Sequence, residues 1–313
     1  MKNDSKILIV GHDDVIERSL VQGFRARGFS KVFSSSMIAL DTTIQSSTYQ
    51  FFAQERPEYV FLASVRSGGI EANQKSPADF FYANSESQNN VVYAARKFGV
   101  KKLLYFASSC VYPKEAEQPL EPESLMTGEM EPTSKAYSTA KLAGIVLCQS
   151  YRKQYGLDAT VVIPATIYGP DSDTDLATAH VLGALVQKFH MAKINHDKDV
   201  IAWGTGHARR EFLFSEDFVE GCLFVADQYQ ELDIVNLGCG EDVSIKDLAF
   251  TIKGIVGFSG EIVFDPMKPE GAKRKLLNSS TILQMGWKPK ISLRTGIQKT
   301  YQAYLQKIEK RKE

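Results

Sequence analysis

The stretch ILIVGHDDVIERSL, Ile7 to Leu20, decides how the chain begins to fold. Four apolar residues, Ile7 to Val10, run into Gly11, and a segment of helical periodicity follows. A strand that ends in glycine and opens into a helix presents backbone N–H groups at a positive helix end. That arrangement suits a phosphate. In a G-x-x-G-x-x-G spacing from Gly11, the next two glycine positions are Asp14 and Glu17, and Asp13 adds a third acid. The opening therefore reads as a nucleotide loop with carboxylates where the backbone should approach an anion.

Outward from this stretch, apolar and amphipathic segments alternate. Ile7–Val10, Lys31–Phe33, Tyr59–Ala63, Lys102–Ala107 and Ala159–Ile163 read as strands. Ile16–Arg27, Thr48–Gln54, Phe80–Phe98 and Tyr137–Tyr155 read as helices, the last two closed by Gly99 and Gly156. This alternation implies right-handed crossovers and a Rossmann-like, doubly wound α/β fold with a parallel sheet. The later chain is more mixed, with helices at His180–Ala192 and Ser215–Ala226 and strands at Val200–Trp203 and Ile234–Leu237. The expected division is a dinucleotide-binding domain over residues 1–168 and a smaller mixed α/β substrate domain over 169–313. Some later segments return to the first domain. The last residues, Lys307–Glu313, are charged and expected to fray.

The totals remove several function classes. Among 313 residues, Lys+Arg and Asp+Glu are both 37, so bulk charge favours neither nucleic acid nor an anionic membrane. No apolar run approaches the roughly 20 residues of a membrane span. The start, Met-Lys-Asn-Asp-Ser-Lys, leaves no room for a signal peptide before the first strand. Four scattered cysteines, Cys110, Cys148, Cys222 and Cys239, form no C-x-x-C pair. They point to a reducing cytoplasm, with no disulfide framework and no metal site.

The chemistry concentrates in YSTAK, Tyr137 to Lys141. Residues at i and i+4 share a helix face, so phenol and ammonium can share a site. A nearby ammonium is expected to lower the phenol's pKa and make it a proton donor to a developing alkoxide. Upstream, LLYFASSCVYP (Leu103–Pro113) is a buried strand ending in hydroxyls. Ser108 falls at its carboxyl end, where open α/β sheets bind ligands. Cys110, two residues on, is expected on the same strand facing the same cavity. Alone, Tyr-x-x-x-Lys also suits a solvated helix face, and a lone Cys or His suits a core or a helix start.

Taken together, the chain resembles the extended short-chain dehydrogenase/reductases, and within them the GDP-L-fucose synthase family. The resemblance covers nearly the whole length. It rests on SSCVYP (Ser108–Pro113), EPTSKAYSTAKLAGIVLCQSYRKQYG (Glu131–Gly156), IYGP (Ile167–Pro170), AHVLGALVQKFH (Ala179–His190), WGTGHARREFLF (Trp203–Phe214) and KPEGAKRKLLN (Lys268–Asn278). It implies that Tyr137 donates the proton when a 4-keto group is reduced. Lys141 would hold the nicotinamide ribose and tune Tyr137, and Ser108 would bond the keto oxygen. Cys110 and His180 would be base and acid for epimerisation at C3 and C5. That pairing is chemically coherent, because protons beside a ketone are acidic and thiolate and imidazolium both operate near neutral pH.

The same resemblance implies NADP (as NADPH) bound along Gly11, His12, Asp14, Ala63, Ser64, Ala107, Lys141, Pro164, Thr166, Ile167 and His180. It implies a GDP-sugar substrate held by Lys188, Trp203, Arg210, Lys268, Glu270, Arg274 and Asn278. Arginine offers a fork and lysine a point charge to the diphosphate. The Gly-Gly loop SVRSGGIEAN, Ser64 to Asn73, would border the sugar. A homodimer built on Phe80–Phe98 and Tyr137–Tyr155 is implied as well. After the second strand, FSSSMIALD carries neither the arginine that suits NADP nor the acid that suits NAD. Three functions stay open: a complete epimerase-reductase, an enzyme keeping only one of those activities with altered cofactor binding, and a non-catalytic nucleotide-sugar-binding relative.

Overall fold

The computed structural model describes residues 1–176, 178–228 and 234–310. The first half runs β1 (Lys6–Val10), α1 (Val15–Ala26), β2 (Lys31–Ser34), α2 (Gln45–Glu55), β3 (Tyr59–Leu62), α3 (Ile70–Lys75), α4 (Pro77–Phe98), β4 (Lys102–Phe106), α5 (Lys135–Tyr155) and β5 (Ala159–Pro164). The rest comprises β6 (Thr166–Tyr168), α6 (Val181–Asn195), β7 (Asp199–Trp203), β8 (Arg209–Phe214), α7 (Ser215–Gln228), β9 (Val235–Leu237), β10 (Asp242–Ser244), α8 (Ile245–Val256), β11 (Glu261–Asp265), β12 (Arg274–Lys275), α9 (Ser280–Gln284) and α10 (Leu293–Lys310).

A six-stranded parallel sheet of order β2-β1-β3-β4-β5-β9 forms the centre. Its inner strands are apolar on both faces, and every residue of β4 and β5 is buried, as helices on both sides require. The winding reverses between β1 and β3, so a crevice opens at their carboxyl ends. Gly11 to Asp14 line one side of it, and Ala63 and Ser64 the other. Gly99 and Gly156 take φ of +75° and +68° and stop α4 and α5, as the glycine positions predict.

A second core gathers on a smaller mixed sheet. Strand β8 pairs antiparallel with β10 and parallel with β12 and β6, and β7 pairs parallel with β11. Helices α6, α8 and α10 pack there through Phe189, Leu248 and Ile297, each fully buried. The division near residue 168 is not clean in space. Strand β9 joins the first sheet, and Phe218 and Cys222 of α7, Ile282 of α9 and Trp287 belong to the first core.

Three local expectations are corrected. Cys110 is not on a strand: β4 ends at Phe106, and Ser109–Val111 form a 3₁₀ turn whose start Ser108 caps by accepting the Cys110 N–H at 3.3 Å. Ile70–Lys75, read as loop, is helical, with Asn73 Nδ2 donating to the Gly68 and Gly69 carbonyls. The tail is not frayed at Lys307, which lies in α10 and donates to the Pro170 carbonyl at 2.8 Å. Residues 311–313 lie outside the described residues.

Candidate active site

The first turns of α5 carry Tyr137 and Lys141 on the face turned to the crevice. The Tyr137 hydroxyl lies 2.8 Å from Ser64 Oγ, at the end of β3. Lys141 is 1% exposed, and its ammonium stands 4.2 Å from the centroid of the Tyr105 ring. The Tyr105 hydroxyl donates to Gln88 Oε1 at 2.8 Å and to the Lys141 carbonyl at 3.1 Å, while Gln88 Nε2 donates to the Ala140 carbonyl. The helix lies so close to β4 that a Cβ on Gly144 would meet Tyr105 Oη at 2.1 Å. These contacts hold the first turns of α5 against the sheet.

The electrostatics differ from the sequence expectation. Burial dominates at Tyr137 and pushes the phenol up, although bonds from Ser64 and Ser108 oppose the rise. The phenol is therefore a neutral donor rather than a near-phenolate. Burial pulls Lys141 down to about 7.

Cys110 faces the same space from the 3₁₀ turn. Lys275 Nζ, from β12, donates to Cys110 Sγ at 3.1 Å. Burial raises the thiol pKa, but the Lys275 charge and bonds from Ser108, Lys275 and Ser134 more than offset it, leaving it below the ordinary value. His180 caps the start of α6 without a side-chain capping bond. The residue is exposed at the helix start, while protein packed around it opposes a charge on the ring. Crowding there pushes its pKa below the ordinary value, against the opposing charges of Asp14 and Asp173. Cys110 acts electrostatically on Tyr137, and Lys275 acts on both Cys110 and His180. Phenol and thiol are thus coupled to each other, and Lys275 is coupled to both the thiol and the imidazole.

The nucleotide-sugar candidates divide by strand alternation. In parallel register, Arg209 of β8 matches Arg274 of β12, and Arg210 matches Lys275. The outer pair, Arg209 and Arg274, both engage Asp242. The inner pair faces Cys110: Arg210 is held by donating to the Arg209 and Glu270 carbonyls, and burial lowers its pKa. Of the two cations that follow the Pro-x-Gly turn, Arg274 is therefore tied into an ion pair, while its neighbour Lys275 reaches Cys110. Asn278 donates to Glu121 Oε1 at 2.6 Å. Glu270 Oε1 accepts from Thr205 N, Thr205 Oγ1 and Ala208 N, which pins the Gly-rich turn after β7. Trp203 is 36% exposed, with Lys188 and Lys268 standing 5.6 and 5.7 Å from its ring. This gives a flat apolar face between two cations. Ile70 of the Gly-Gly segment approaches Gly271, so that segment borders the same cleft.

At the dinucleotide loop, the acids are organised by the loop itself. Asp14 caps α1, accepting the Glu17 N–H at 3.0 Å. Glu17 is 1% exposed and runs beneath the loop. Its Oε2 accepts the Asp13 N–H at 2.5 Å, and its Oε1 accepts from Ser34 Oγ at 2.6 Å and Ser36 N at 3.1 Å. Asp13, at φ +62°, pairs with Arg18 through both carboxylate oxygens. His12 bridges the crevice, its Nδ1 2.8 Å from the Ser64 carbonyl and its Nε2 3.1 Å from Ser67 Oγ. Small Ala63 and Ala107 follow β3 and β4 at the end of the crevice nearest Tyr137 and Lys141, side chains of a size that suits a nicotinamide dinucleotide there. The phosphate end of the crevice carries carboxylates that already occupy two loop N–H groups. Among the described residues, no group of three or more His, Cys, Asp or Glu is placed to hold a metal.

A doubly wound sheet with Ser64 and Ser108 just past the carboxyl ends of β3 and β4, and Tyr137 and Lys141 on the facing helix α5, defines a Rossmann-type short-chain dehydrogenase/reductase. Comparison with known proteins narrows the class. Residues 7–238 match the NAD dependent epimerase/dehydratase family. GDP-L-fucose synthase 1 of Arabidopsis thaliana is 43% identical over 97% of this chain and 94% of its own length. The solved GDP-6-OMe-4-keto-L-xylo-heptose reductase of C. jejuni superposes with a TM-score of 0.91 at 35% identity, covering 98% of this chain and 99% of that one. The GDP-mannoheptose C4 reductase of Campylobacter jejuni, with NADP bound, gives 0.88 at 36% identity, covering 97% and 99%. The chain belongs to the NAD dependent epimerase/dehydratase family and, within it, to the GDP-L-fucose synthase family of epimerase/reductases.

Proposed function

We propose that the protein is an NADPH-dependent 3,5-epimerase and 4-reductase of a GDP-4-keto-6-deoxy sugar, working as a homodimer in the cytoplasm. The observation that carries this reading is the meeting of two chemistries in one cavity. A neutral phenol and a buried ammonium stand beside a thiol paired with Lys275 and an imidazole on the next element.

Ser108 and Tyr137 hold the keto oxygen. Cys110, as thiolate, takes the proton from the carbon beside the ketone, and the electron pair delocalises onto the keto oxygen as an enolate. His180 returns a proton to the opposite face and inverts the centre. NADPH, when bound, supplies the hydride that adds to C4. Tyr137 gives its proton to the oxygen as alkoxide charge develops there, with Lys141 holding the ribose beside it. Arg210 and Lys188 face the diphosphate, and Trp203 faces the guanine.

The closing test separates the two half-activities. Tyr137→Phe is expected to abolish NADPH oxidation while leaving solvent-deuterium uptake into GDP-4-keto-6-deoxymannose intact. Cys110→Ser is expected to suppress that uptake by about a hundredfold or more. Uptake undiminished by Cys110→Ser would leave reduction alone as the function.

A further inference from the structure

We propose that Lys275 is the positioning residue that keeps Cys110 ionised, so that the base is formed only when the C-terminal segment is docked over the catalytic turn. The inference rests on Cys110 being the base that takes the carbon-bound proton. It adds the group that makes the thiol able to do so.

Lys275 is 165 residues from Cys110 in sequence, and its backbone is fixed on both sides of the contact. Strand β12 lies parallel to β8. Leu276 N donates to Gln118 Oε1 at 2.9 Å, and Leu277 N donates to Glu211 Oε2 at 2.9 Å. Leu120 N donates to the Leu276 carbonyl at 2.7 Å. The segment after β12 is thereby laced to the loop that follows Cys110. The nearby carboxylates have other partners. Asp242 holds Arg209 and Arg274, Glu270 pins the turn at Thr205, and Glu211 accepts backbone N–H groups. The Lys275 ammonium is thus directed at sulfur.

The groups that face Cys110 come from four elements: Ser108 from its own turn, Ser134 and Tyr137 from the start of α5, Arg210 from β8 and Lys275 from β12. Two are cations; among the described residues no carboxylate is hydrogen-bonded to the sulfur, and His180 at the start of α6 also feels the Lys275 charge. An uncharged thiol is a poor base for a carbon acid. With an ammonium 3.1 Å away, the sulfur proton passes to solvent and the electron pair stays on sulfur. In turnover, an S–H bond forms as the C–H bond breaks, the electron pair moves to the enolate, and Lys275 keeps its charge throughout.

Alkylation by iodoacetamide tests this, measured on the Cys110 peptide by mass spectrometry between about pH 5.5 and 10. Wild type should alkylate with an apparent titration below that of an ordinary thiol. Lys275→Met should lower the rate at pH 7 by about tenfold or more, and the gap to wild type should narrow as pH rises towards about 10. Lys275→Arg should keep the wild-type profile, which guards against a folding defect in the methionine variant. Deuterium uptake by the methionine variant should fall and recover over the same pH range. A Lys275→Met profile that superimposes on wild type would overturn the proposal. If the alkylation profile shifts but Cys110→Ser still exchanges at full rate, the ion pair stands and the assignment of Cys110 as base fails.

Discussion

At the scale of single residues, the site is decided by which way a side chain points. Tyr137 and Lys141 were legible because helix periodicity is local, and both lie where their spacing places them. The pair Arg274 and Lys275 was not, because alternation sends neighbours on a strand to opposite sides, and sequence alone does not say which side is the cavity. Ser64 was read as a cofactor contact, and its hydroxyl in fact lies beside the phenol. Burial also reverses one inference from spacing. The phenol rises instead of falling, and Lys141 gives up proton affinity because burial outweighs the opposing influence of Cys148 and Asp14. Since the Lys141 pKa is lowered to about 7, its ammonium is complete below that pH and lost above it. NADPH binding should therefore weaken as pH rises through 7, and Lys141→Met should flatten that dependence in a fluorescence titration.

At the scale of elements, the β1–α1 loop is the departure that matters. Glu17 replaces a hydrogen with a buried carboxylate and clamps the loop to the end of β2, and a Cβ on Gly11 would meet it at 2.8 Å. The loop is ordered by its own acids. The carboxylate missing after β2 is supplied from α1, and Arg18 is engaged by Asp13. Asp13 has φ +62°, which asparagine tolerates, so Asp13→Asn removes the charge without backbone strain. It should free Arg18 and tighten NADPH about threefold relative to NADH, read by parallel calorimetric titrations. Glu17→Gln should move the same ratio in the same direction. Short strands β6, β8, β10 and β12 escaped the sequence reading because two to six residues carry too little period, and their pairing partners lie far along the chain.

At the scale of the whole molecule, two cores share one chain, and late segments return to finish the first. Phe218, beyond the boundary near residue 168, is fully buried, and its ring lies tilted against that of Phe106 of β4 with centroids 5.4 Å apart. Phe218→Ala should cost about 3–5 kcal/mol in urea unfolding and destabilise the dinucleotide half, although it lies late in sequence. Helices α4 and α5 pack along their length and leave Tyr82 at 63% and Val146 at 46% exposure. If the proposed dimer forms on this face, Val146→Arg should halve the mass seen by light scattering.

The sequence by itself determined the alternating strands and helices, the parallel sheet and the helix face that carries Tyr137 and Lys141. All of these follow from patterns that repeat within a few residues. Tertiary structure alone decided that Lys275 meets Cys110, that Glu17 fills the loop and that Phe218 completes a distant core. Each of these depends on bringing together side chains far apart in the chain, and the resulting burial and charge exist only once the chain has closed around them.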